Sequence, residues 1–70
     1  MKGGPLKIRL RAVRERRLMT QDELAAKSGI TQTTISAIEM GKQSPRVTTV
    51  RRLAAALGVE PEELVINETE

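Results

Sequence analysis

Between Gln32 and Ile38 the chain offers one carboxamide and three hydroxyls, those of Gln32, Thr33, Thr34 and Ser36, and no charge. None of these groups is a useful acid, base or nucleophile unaided. What they share is hydrogen bonding in both directions. A glutamine amide sets a donor beside an acceptor, the arrangement that pairs bidentately with adenine in the major groove, and threonine offers base edges both a hydroxyl and a methyl. Solvated helix faces are ordinarily filled with Glu, Lys and Arg, so an uncharged polar face is a surface built for contact. Lys42 and Arg46 follow it in a loop and have the chemistry of phosphate contacts.

Such side chains must be held rigidly. Residues 20–41, TQDELAAKSGITQTTISAIEMG, are composed to do this as two short helices joined by a tight turn. Thr20 with Glu23 three residues on is a capping-box pair, each side chain satisfying an orphan backbone N–H of the other, which predicts a helix beginning near Gln21. Leu24 and Ala25 give it a narrow apolar face. Ser28-Gly29 ends it, glycine taking the left-handed C-terminal conformation at least cost. Thr31 can cap the second helix, whose Ile35 and Ile38 point to one side and leave Gln32, Thr33, Thr34, Ser36 and Ala37 elsewhere on its surface. Gly41 closes it. Helices of about two turns do not hold themselves in water, so packing must, and Ala25 with its single methyl lets the two cross closely.

The remaining segments read as support. Residues 1–5, with Gly3, Gly4 and Pro5, are expected to form a flexible arm whose Lys2 could reach DNA. A first helix is predicted from Leu6 to about Arg17 on the spacing of Leu6, Leu10, Val13 and then Arg17 or Leu18, and it places Arg14 on the inner side. Pro45 fixes the loop before a helix over 47–57, where Val47, Val50, Leu53, Ala54 and Leu57 make a core face and Gly58 is the stop. Arg51 and Arg52 lie off that face and are read as solvating the helix. Pro61 suits the first turn of a fifth short helix, with acidic residues complementing its dipole. Leu64, Val65 and Ile66 are more apolar than so short an end requires, and two readings stay open for them: a dimer surface, or burial against the first helix. Residues 67–70 form an acidic tail expected to fray. The expected fold is all-α, one domain over 6–66, a compact bundle of five short helices containing a helix-turn-helix at 20–41.

Composition narrows the function. Seventy residues make one small domain. With no Phe, Tyr or Trp, the aromatic platforms used by single-strand nucleic-acid modules are lacking. With no Cys or His, disulfides, the usual metal ligands and the commonest general base are lacking too, so no cofactor, no metal and no enzymatic activity are expected. No apolar run approaches the roughly 18 residues that cross a bilayer, and no membrane partner is expected. The arginine-rich N-terminus lacks serine and runs straight into the folded pattern, against a transit peptide. The net charge is +3, but residues 1–17 carry seven Lys and Arg against Glu15, whereas residues 59–70 carry five Glu and no Lys or Arg. Such asymmetry suits a protein that turns one side to phosphates, or a soluble surface of uneven charge.

From Leu10 to Val59 the chain resembles the Cro/phage-repressor type of helix-turn-helix protein, the lambda-repressor-like or XRE-like family. Four motifs in succession carry the resemblance: LRAVRERR before the helix pair, TQDELA with Gly29 at the turn, TISAIEMGK, and SPRVTTVRRLAAALGV after it. It implies that the helix starting near Gln32 enters the major groove with its N-terminal end toward the bases. Gln32 would then contact adenine directly, Thr33 would read a thymine methyl or a neighbouring edge, and Thr34 would touch a phosphate, with Thr31, Ser36 and Ala37 on the same surface. Ala37 stands where some members carry a longer polar reader. Gln21 would clamp a phosphate, the plainer reading being a good helix former on a wet surface. Lys42 and Arg46 would follow the backbone, Arg46 alternatively entering the minor groove. Arg14 would pair with Glu39 and tie the first helix to the third. Leu18 stands where the family often has glycine, and Met40 where it commonly has Asn or Arg.

These readings favour a sequence-specific double-stranded DNA-binding transcriptional regulator, a repressor, cytoplasmic and nucleoid-associated, and a homodimer at least on DNA. The alternative is a protein-interaction module of the same fold, antitoxin-like or a co-activator bridge, for which Leu64 to Ile66 is the candidate surface for a protein partner.

Overall fold

Local capping chemistry sets most of the boundaries in the computed structural model, which describes residues 7–66. The expected arm at 1–5, Leu6 and the tail at 67–70 lie outside the described residues. Five helices follow in order: α1 Leu10–Arg16, α2 Gln21–Ser28, α3 Gln32–Glu39, α4 Val47–Leu57 and α5 Pro61–Leu64. At the head of α2 the Thr20 hydroxyl accepts from Glu23 N at 3.0 Å while the Glu23 carboxylate accepts from Thr20 N at 2.8 Å, closing the capping box in both directions. Gly29 ends α2 at φ +76°, a left-handed conformation that a side chain would strain. Its successor is anchored at once, since Ile30 N donates to Ser28 Oγ at 3.1 Å. Thr31 then caps α3 by accepting from Thr34 N at 3.2 Å.

The first helix starts at Leu10, not at Leu6. Ile8 instead forms an antiparallel bridge with Val65, flanked by Arg9 N donating to Leu64 O and Ile66 N donating to Lys7 O, both at 2.8 Å. Backbone groups that a first helical turn would have used are satisfied across the chain.

Leu10, Val13, Leu24, Ile35, Ile38, Val50, Leu53, Ala54, Leu57 and Leu64 form one buried cluster. Burying each large aliphatic contributes roughly 1.5–3 kcal/mol, and this cluster draws on all five helices, so the short helix pair is held by its neighbours. Of the two readings left open for Leu64, burial holds: it is wholly inaccessible and is a core residue, which takes it out of the candidate dimer surface. One expectation is corrected. Val47 is 54% exposed, because the buried stripe of α4 begins a turn later at Val50.

Candidate nucleic-acid interface

The geometry around α3 is organised by a carboxylate. Glu39, on the last turn, receives Arg14 Nε at 2.7 Å on one oxygen and Arg14 Nη2 at 2.9 Å on the other. The remaining Arg14 nitrogen, Nη1, donates to Met19 O at 2.8 Å, so the guanidinium spans α1, the α1–α2 turn and α3. Both side chains are nearly inaccessible, 11% for Arg14 and 4% for Glu39. Burial pushes the Glu39 carboxyl up, but hydrogen bonds from Arg14 and Gln21, with the charges of Arg14 and Arg11, outweigh it and leave the group below its ordinary value. The Arg14 guanidinium is correspondingly raised, chiefly by its hydrogen bond to Glu39 and against the cost of burial.

From Glu39 the network runs to the surface. Gln21 Nε2 donates to Glu39 Oε1 at 3.0 Å, and Gln32 Nε2 donates to Gln21 Oε1 at 2.6 Å. Gln21 is half-buried and Gln32 exposed. The chain Arg14, Glu39, Gln21, Gln32 therefore fixes the outermost amide from within. Pairing across 18 and 11 residues leaves no trace in helical periodicity, which is why the sequence placed Gln21 only as a clamp or a wet helix former. Its amide is spent inside the protein, which leaves the first-turn backbone N–H groups that the capping box does not use as the donors there.

Other predicted residues divide by what their polar atoms already do. The Thr31 hydroxyl both accepts from Thr34 N and donates to Thr34 Oγ1 at 3.0 Å, so its proton is committed to the cap. Thr34 Oγ1 is the acceptor in that pair. Ser36 donates to Met40 Sδ at 3.6 Å, and Met40 is 62% exposed. Thr33 is exposed, Ala37 half-buried, and Lys42 and Arg46 exposed. Gly41 turns the chain at φ +76°, with Lys42 N donating to Ala37 O at 2.9 Å, which sets Lys42 just beyond the end of α3. Among the described residues no cluster of acidic side chains could hold a metal ion, and no helix is long and apolar enough to cross a membrane.

Residues 10–64 match a family model described as helix-turn-helix. The chain belongs to this helix-turn-helix family, of the Cro/phage-repressor type. Within the family it is 43% identical over 53 residues to an uncharacterized HTH-type transcriptional regulator of Sinorhizobium fredii, covering 76% of this chain and 69% of that one. It is 33% identical over 61 residues to an immunity repressor protein of Bacillus phage phi105, covering 87% of this chain and 42% of the repressor. The chain thus spans less than half the phage repressor's length. Among solved structures, the restriction-modification controller protein C.AhdI of Aeromonas hydrophila superimposes with a TM-score of 0.76 at 33% identity, covering 79% of this chain and 83% of that one. In this helix-turn-helix chain α2 and α3 are the motif, and the Arg14–Glu39 pair is the strut that sets α3 against α1.

Proposed function

We propose that the protein is a sequence-specific double-stranded DNA-binding transcriptional regulator, a repressor, that reads the major groove with α3. The observation that carries this reading is the outward amide of Gln32, immobilised by Gln21 on a network rooted in a buried ion pair. An amide held by one donor hydrogen keeps its oxygen and second hydrogen for a base edge, and holding it in advance lowers the ordering cost of contact. Gln32 pairs with adenine and Thr33 packs on a thymine methyl or an adjacent edge. Ser36 and Ala37 extend that face. Thr34, the α2 start at Gln21, Lys42 and Arg46 hold phosphates, while Thr31 contributes by fixing the end of α3 nearest the bases. A homodimer on DNA would place two α3 helices in successive major grooves, with half-sites about 10–10.5 base pairs apart. Regulation of this kind acts on DNA in the cytoplasm. The reading as a protein-interaction module loses most of its support with Leu64 in the core, since Val65 and Ile66 alone remain of its apolar surface.

Selection of bound duplexes from a random pool, followed by binding of the Gln32→Ala/Thr33→Ala double variant to the selected duplex, tests the proposal. The folded variant should retain salt-dependent binding and lose preference for the selected sequence. Preference that survives both substitutions, or selection that returns no common sequence, rules the reading out.

A further inference from the structure

A cleft of about 480 Å³ is lined by Ile30 in the turn before α3, by the loop after that helix, and by the first turns of α4. Its walls are polar and cationic: the lining includes Ser44, Thr48, Thr49, Arg46 and Arg52, with no acidic residue. Neither guanidinium has a hydrogen-bond or ion-pair partner among the described residues, unlike those of Arg14 and Arg11, which do. Arg52 is exposed, yet its guanidinium lies close to the body of the protein. Its Nη1 lies 3.9 Å from where a side chain on Gly29 would begin, folded over the α2–α3 turn. Thr48, Thr49 and Arg52 are three and four residues apart, so they share a face of α4, and that face is the wall of the cleft.

We infer that this cleft is a phosphate site in which Arg52, with Arg46 and the hydroxyls of Thr48 and Thr49, holds a phosphodiester of the DNA backbone beside the groove that α3 occupies. The inference rests on the proposed function for the source of the phosphate, and goes beyond it in giving Arg52 a contact that helical spacing alone assigned to solvation. A duplex that takes α3 into its major groove must run a phosphate strand along that helix, and the cleft is lined by the turn before it and the loop after it. Two guanidiniums and flanking hydroxyls match a phosphate in charge and in donor supply. The contact positions the protein and carries no sequence information.

Duplex selected from the random pool is titrated at several salt concentrations with the wild-type protein, Arg52→Gln and Arg52→Lys. The glutamine variant should lose about one unit of the log–log salt slope while keeping the wild-type ranking of sequences, and the lysine variant should keep the slope. An unchanged slope in Arg52→Gln, with sequence preference intact, overturns the phosphate site and leaves the proposed function standing. A second arm adds inorganic phosphate to the free protein at fixed ionic strength and follows the backbone amides of Thr48 and Thr49 by NMR. If the wild-type protein prefers no duplex, the proposed function fails and this arm decides the cleft: shifts abolished in Arg52→Gln support a site for a free phosphate, and an absence of shifts overturns it.

Discussion

Gln32 donates to Gln21 across the helix-turn-helix corner at 2.6 Å, and Gln21 in turn donates to Glu39 at 3.0 Å. On the proposed function, a residue with no base to read would govern base reading. Gln21→Ala should weaken discrimination at the position contacted by Gln32 by about 1 kcal/mol, the net worth of an ordinary hydrogen bond. Competition between the selected duplex and a single-base variant at that position measures it, and equal discrimination by the wild-type and variant proteins would falsify the relay.

Removing one partner of the Arg14–Glu39 pair should destabilise the fold far more than a surface substitution. With both side chains almost fully enclosed, Arg14→Met leaves a carboxylate uncompensated and is expected to cost about 3–5 kcal/mol. Urea denaturation followed by circular dichroism gives the number, and a loss below about 1 kcal/mol would place the pair with exposed ion pairs.

Acid should reveal the same pair. The folded state holds the Glu39 carboxyl below its unfolded value, so the unfolded chain takes up the proton first as pH falls. Its contribution is complete above the ordinary glutamate value of about 4.3 and is lost as pH drops through the folded value. Thermal melts between pH 7 and pH 3 should show wild-type stability declining below roughly pH 4.5, and the decline should be shallower in Glu39→Gln at an overall lower stability.

Leu18 offers an opposite change. It sits at φ +56° and is 91% exposed, so it bears left-handed backbone strain, about 1–2 kcal/mol for an L-residue, with almost no burial in return. Leu18→Gly relieves that strain but adds freedom to the unfolded chain, and should stabilise the protein by about 0.5–1 kcal/mol. A melting temperature unchanged or lower in Leu18→Gly contradicts this.

The apolar end of the chain gives a contrast between neighbours. Leu64→Ala should cost about 2–5 kcal/mol through the cavity it leaves, whereas Ile66→Ser, at a residue 37% exposed, should cost well under half of that. Denaturation of the two variants side by side is the measurement; similar losses would return Leu64 to the surface.

What the sequence made legible follows from the range of each interaction. Thr20 with Glu23, Thr31, Gly29, Gly58 and Pro61 act within a few residues of themselves, and the helices they delimit lie where capping chemistry put them. Ile35, Ile38, Val50, Leu53 and Leu57 follow helical spacing and are buried. Residues 7–9 fail the same reasoning because their backbone partners lie more than fifty positions away, at 64–66, where no period can register them. At the interface the residue types on the outer face of α3 were readable, but not their prior engagements: the Thr31 proton held by Thr34, the Gln21 amide held by Glu39, the Ser36 hydroxyl turned to Met40. The arginine of α4 facing the α2–α3 turn was hidden for the same reason, since spacing places Arg52 off the core without saying which neighbour it leans on.

The pairing of residues 7–9 with 64–66 makes the folded unit a loop closed by a non-covalent clasp. Peeling residues 7–9 away takes backbone partners from Leu64 and Ile66 and opens the seam beside the buried Leu64. Fraying at 7–9 and at 64–66 is therefore coupled through the shared bonds, and a single covalent staple across the clasp would guard both.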